Sequence, residues 1–172
     1  MSFQNSLKFL QSNKEFKQFK AKNKSAFLFS AFFALNSKLE IETQQLDYLL
    51  GKNQVATFLI NENNIEQKND EINPTSKLSA LNENIKIDID KVIKLIENEV
   101  KKRSLTEFDV NKVFVVLQKL NEQQMWNVTC LLSSLKILRM HIDCFSGKVL
   151  ESKEESIADF LSFQKGNKGS KK

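Results

Sequence analysis

The chain holds one histidine, His141, in the run His141-Ile142-Asp143-Cys144. Imidazole, carboxylate and thiol this close together could ligate a soft metal. In an extended strand, however, His141 and Asp143 share a face while Cys144 opens the following turn, so the three donors diverge. A single histidine rules out a multi-histidine metal site or a histidine-based triad within one chain. The cysteines, Cys130 and Cys144, form no CxxC motif. Both lie in or beside predicted strands and read as buried free thiols, which favours a reducing compartment. The carboxylate pairs Asp88/Asp90 and Glu154/Glu155 read as a helix cap and a solvated face. No GxGxxG or Walker pattern is present. Asn23-Lys24-Ser25 and Asn127-Val128-Thr129 match the glycosylation pattern, which matters only in a secreted protein. The expectation is a non-enzymatic protein with no catalytic residue, no metal ligand and no cofactor.

Charge bounds the partners. The net charge of +5 comes from 26 Lys and Arg against 21 Asp and Glu. Part of it lies in the final residues, at Lys165, Lys168, Lys171 and Lys172, so the folded body is less basic than the whole chain. A general nucleic-acid binder usually shows a denser basic face. The candidate nucleic-acid contacts are Lys17, Lys20 and Lys24 with Lys168, Lys171 and Lys172. The first three also read as a solvated face and a helix end. The candidate partner contacts are Trp126, Arg139 and His141.

These residues need elements to hold them. With 172 residues, 41% of them hydrophobic, the chain can build one domain or two small units sharing a core. Only 4 Gly and 1 Pro argue against a loop-dominated fold, and 14 Phe stand against one Trp and one Tyr. The central stretch is Met125 to Glu151. Trp126, Val128, Cys130 and Leu132 alternate with Asn127, Thr129 and Leu131, which is a strand pattern. Ser133-Ser134 turns the chain, and Leu138, Met140 and Ile142 alternate again. Asp143 to Gly147 forms a second turn, and Lys148-Val149-Leu150 resumes a strand.

Upstream, Ser2 to Leu10 is a helix candidate. Ser12-Asn13-Lys14-Glu15 reads as a capping box for a second helix carrying Phe16 and Phe19. Ala26 to Leu35 reads as a strand buried on both faces. Its apolar run behind a basic lead also resembles a secretory leader, but the lead is long and no small-x-small site follows. Gln44 to Leu50 and Val55 to Ile60 predict a hairpin around Gly51-Lys52-Asn53. Asn61 to Asn84 is polar and reads as a loop, with one short helix near Lys77 to Leu81. Ile89, Val92, Ile93, Ile96 and Val100 form a helical stripe capped by Asp88 or Asp90. Lys101, Lys102 and Arg103 complement the helix dipole at its end. Val113 to Leu117 is another buried strand, and Ser156 to Phe163 predicts a terminal helix. No apolar run reaches membrane-spanning length, and the expected location is cytoplasmic.

The order helix, strand, hairpin occurs twice, which suggests an internal duplication. The second copy resembles the PepSY domain family. The resemblance rests on Trp126, Ile142-Asp143, Ser146-Gly147 and Lys148-Val149-Leu150, with the helix opening Ile87-Asp88-Ile89-Asp90-Lys91-Val92. Small prokaryotic proteins, many of them archaeal, look similar over more of the length. The resemblance implies an α+β fold: an antiparallel sheet packed by helices, as two tandem α-β-β-β units sharing a core. The units are residues 1–66, a degenerate copy, and 85–163. A polar linker spans 67–84 and a basic mobile tail 164–172. Trp126 and Gly147 read as structural.

PepSY domains have proposed inhibitory or binding roles, but this chain shows no peptidase domain or membrane span, so the resemblance carries the fold further than the role. A stable-looking fold with no catalytic constellation instead points to a protein- or peptide-binding module using a sheet edge or an open sheet face. An RNA- or ribosome-associated basic protein is the alternative. A small-ligand carrier with a pocket between sheet and helices comes third.

Overall fold

The apolar runs of the chain become strands of one antiparallel sheet in the computed structural model, which describes residues 1–158 except 52, 62, 63, 75 and 76. In chain order the elements are α1 (Phe3–Ser12), α2 (Lys14–Lys22), β1 (Phe27–Leu35), β2 (Ile41–Gly51), β3 (Gln54–Ile60) and β4 (Ile65–Glu71). Then come α3 (Ile89–Lys102), a 3₁₀ turn (Glu107–Asp109), β5 (Val110–Leu120), β6 (Gln123–Leu132), β7 (Lys136–Asp143) and β8 (Val149–Ser156). The strand order across the eight-stranded sheet is β4-β3-β2-β1-β5-β6-β7-β8. Each half is a helical segment followed by a four-strand meander. The halves meet where β1 pairs antiparallel with β5, from Ser30 opposite Gln118 to Leu35 opposite Val113. The fold is α+β.

All three helices bury their apolar stripes against one face of the sheet. Phe3, Leu7 and Leu10 of α1, Phe16 and Phe19 of α2, and Ile89, Val92, Ile96 and Val100 of α3 share one core with the inward residues of the strands. Phe16 and Phe19 pack edge-on against Tyr48 and Phe58, with ring centroids 5.0 to 6.1 Å apart. Trp126 is wholly buried and meets Phe3 edge to face at 6.4 Å. Its indole N–H donates to the Ile87 carbonyl at 2.7 Å. Among the described residues no helix is long and apolar enough to cross a membrane.

One carboxylate ties the helices together. Asp88 caps α3, accepting from the Ile89 amide at 2.6 Å. The same side chain accepts from the amides of Phe3 at 2.8 Å and Gln4 at 3.1 Å. It therefore satisfies orphan donors at two helix N-termini, where negative charge also suits both helix dipoles.

Several expectations are corrected. Asn13, not Ser12, caps α2, its side chain accepting from the amides of Glu15 and Phe16. The stretch from Asn61 to Asn84 is not all loop, for Ile65–Glu71 forms β4, which crosses the expected boundary between residues 66 and 67. Its sequence lacks apolar alternation because it is an outer strand. Pairing with β3 recruits it, and its charges guard the edge. Lys77 to Leu81 is not helical. β1 is covered by helices on one face only, and Phe27, Phe29 and Phe32 remain half-buried. β8 runs to Ser156 and helical backbone follows at Ile157 and Ala158, one residue later than expected. Residues 159–172, with the remainder of that expected helix and the basic tail, lie outside the described residues.

Removing the Asp88 carboxylate uncaps α3 and leaves the Phe3 and Gln4 amides of α1 without their acceptor, while Ser2 still caps α1. Asp88→Ala is expected to lower the unfolding free energy by about 3 kcal/mol, with Asp88→Asn losing less. Urea unfolding followed by circular dichroism measures both. A loss under about 1 kcal/mol would show that the caps matter little.

Candidate functional site

The other face of the sheet has no element of the described residues packed on it. Strand register aligns one row across it: Glu66, Leu59, Gln45, Phe32, Val116, Asn127, His141 and Glu151. A solvated sheet face normally carries polar residues at such positions. Here the middle is apolar. Phe32 stacks on Phe114, with ring centroids 5.9 Å apart and planes at 25°. Val116, Leu131 and Leu59 are half-buried around them. No described element packs on these aromatic rings, and a half-buried apolar patch of this kind marks a candidate contact surface.

Charged residues flank the patch toward β7 and β8. The Arg139 guanidinium donates to Glu155 at 3.0 Å, and Lys153 reaches the same carboxylate at 3.2 Å. The hydrogen bond from Arg139 is the main reason the Glu155 carboxyl sits below its ordinary range. His141 Nδ1 lies 3.0 Å from a Glu151 oxygen. The Asn127 side-chain amide sits between Val116 and His141, shielded from solvent and with no hydrogen-bond partner among the described residues.

Toward β2 lies a different group. Asp47 is only 8% exposed although it is on this same face, opposite Ser30 and Thr57. Leu49 is two residues along its own strand, and Val55, Leu59 and Phe32 occupy the diagonal positions on β3 and β1. Diagonal neighbours are within reach of large side chains, so an apolar collar encloses the carboxylate. The Thr57 hydroxyl donates to it at 2.7 Å, and the Gln45 amide at 3.3 Å. Burial pushes the Asp47 carboxyl above its ordinary value, while hydrogen bonds from Thr57, Gln45 and Ser30 pull the other way.

The residues singled out from sequence fare unevenly. Arg139 and His141 lie on the open face, side by side along β7. Trp126 faces the opposite way and is 0% exposed, so it cannot touch a partner, and its role is packing. Lys17 and Lys24 are exposed on α2 and the turn after it. Lys20 is half-buried, donates to the Ala26 carbonyl and lies 5.8 Å from the Tyr48 ring centre. These lysines belong to the helix layer, not to the open face. Lys168, Lys171 and Lys172 lie outside the described residues. Cys144 donates to the Gln124 carbonyl at 3.3 Å. Burial pushes the Cys130 thiol up to about 12 and the Cys144 thiol up to about 11, so neither is a ready nucleophile. Among the described residues no group of three or more His, Cys, Asp and Glu could hold a metal ion.

Asp47 and the Phe32–Phe114 pair escaped the sequence reading. The alternation Gln44 to Leu50 places Asp47 on the polar side of β2, but nothing local shows that its neighbours enclose it. The pKa direction predicts a pH signature. The unfolded chain ionises Asp47 near its ordinary value of 3.8, while the folded chain holds the proton to higher pH. Burial therefore costs stability only once the pH exceeds that value. Asp47→Asn is expected to gain stability relative to the parent protein as the pH rises above about 3.8. Thermal unfolding on both sides of that value reads the difference, and a difference independent of pH would contradict it.

No protein-family model matches the chain, and no curated protein matches it. Among solved structures, the chain is similar to a lipoprotein candidate from Clostridium difficile 630, at 17% identity over 81% of this chain and 89% of that chain, with a TM-score of 0.48.

Proposed function

We propose that the protein is a non-enzymatic module that binds another protein or a peptide on the open face of its sheet. The observation that carries this reading is the half-exposed apolar patch of Phe32, Phe114, Val116, Leu131 and Leu59, rimmed by charge-paired residues. An apolar centre with a polar rim is the usual anatomy of a protein interface. The edges suit strand addition less well. β4 carries Glu66, Lys68, Asp70 and Glu71, and β8 carries Glu151, Lys153, Glu154 and Glu155. Charged edges discourage a further strand.

Two tandem PepSY-like units, each with a fourth strand (β4, β8) beyond the expected three, remain our reading of the architecture. The repeated order of helical segment and meander supports it, as does the contact of Trp126 with Ile87, which joins two parts of the motif. We place the protein in the cytoplasm on the strength of two buried free thiols. The RNA or ribosome reading has less support, since the helix-layer lysines form no stripe with the cations of the open face.

The test is affinity purification of tagged protein from its native host at low and moderate salt, beside a Val116→Lys variant. The parent is expected to retain a protein partner at moderate salt. Val116→Lys is expected to lose at least about 90% of it while the melting temperature holds, since a lysine in the apolar centre would be desolvated on docking. Undiminished recovery by the variant would overturn the reading.

A further inference from the structure

We propose that Asp47 anchors a cationic side chain, Lys or Arg, presented by the protein segment that docks on the open face. This rests on the reading of that face as a docking surface and names the chemistry of its partner. Other carboxylates on this face of the sheet have basic partners: Glu66 with Lys68 on β4, and, across the sheet, Glu151 with His141 and Glu155 with Arg139. Asp47 is more deeply buried than these, yet its hydrogen bonds come from Thr57, Gln45 and Ser30, all neutral. No Lys or Arg among the described residues forms an ion pair with it.

Docking strips water from the patch, and an apolar partner would leave this carboxylate buried without a counter-charge, an arrangement that strongly opposes binding. A partner cation removes that obstacle. Geometry suits Lys or Arg, whose apolar stem can lie along the collar of Leu49, Val55, Leu59 and Phe32 while the head reaches the carboxylate. An ionised carboxylate offers about four acceptor positions, more than its neutral donors occupy. The segment therefore carries a basic residue next to apolar ones, the latter meeting Phe32, Phe114 and Val116.

The experiment selects phage-displayed random dodecapeptides on the full-length parent, Asp47→Asn and Val116→Lys proteins. Peptides enriched on the parent are expected to share one Lys or Arg beside apolar residues. That basic position should vanish from selections on Asp47→Asn. One synthetic parent-selected peptide, measured by fluorescence anisotropy, should bind Asp47→Asn at least about tenfold more weakly. Its affinity for the parent should fall as acid protonates Asp47, whereas the Asp47→Asn affinity should not follow. Thr57→Val keeps the charge and removes one neutral donor, so it should bind at least as tightly as the parent. Equal losses in Thr57→Val and Asp47→Asn would mean a structural effect and overturn the proposal.

Peptides without a shared basic residue, or equal affinity for Asp47→Asn, overturn the anchor alone, provided Val116→Lys still abolishes binding. Peptides indifferent to Val116→Lys, or a selection that enriches nothing, overturn the docking face and the anchor together.

Discussion

The carboxylate of Asp88 is the contact on which the arrangement of layers depends. It holds the first amides of α1 and α3 at once, and α1 belongs to one half of the chain while α3 belongs to the other. The residue before it is equally committed. Ile87 accepts from Trp126 through its carbonyl and donates its amide to the Cys144 carbonyl at 3.0 Å. Gly147 fits against it with a φ of +75°, and a Cβ there would come within 3.1 Å of the Ile87 side chain. The motif residues of the second half thus converge on one crossing segment. Trp126 supplies an indole, Gly147 supplies room, and Asp143 closes the turn by accepting from the amides of Phe145 and Ser146.

Because both helical segments are bound at this point, they lie on the same side of the sheet. The two meanders then pair edge to edge through β1 and β5 into one wide surface. The helices and the main hydrophobic cluster lie beneath that surface. What remains above it is a face whose central positions are apolar although no described element covers them. Binding by such a face needs no moving part or catalytic group, only complementarity, and the buried Asp47 supplies a polar constraint on what can be complementary.

Much of the fold was legible because the physics is local. Strand alternation gave Trp126 to Leu132 and Leu138 to Ile142, and the 3.6-residue stripe gave α3 with its Asp88 cap. The turn at Asp143 to Gly147 followed from side-chain bonding and positive φ. β4 was not legible, because an edge strand made of Glu, Gln, Lys, Asn and Asp has no apolar face to reveal it. The site was harder. Arg139 and His141 could be placed on the outward face of β7 because charged residues in a strand must leave the core. Trp126 reads from sequence both as structural and as a partner contact, because aromatic size suits a core and an interface alike, and only the structural reading fits its burial. Phe32 and Phe114 are partners only through the pairing of β1 with β5, strands far apart in sequence. The enclosure of Asp47 likewise comes from three strands together.

The most direct measurement of the central claim is hydroxyl-radical footprinting of Phe32 and Phe114, in purified protein and in native-host extract at equal concentration. The account predicts that both rings oxidise in the purified protein and are protected in the extract, while exposed Phe108 reacts equally in both. Equal oxidation of Phe32 and Phe114 in the two samples would contradict it.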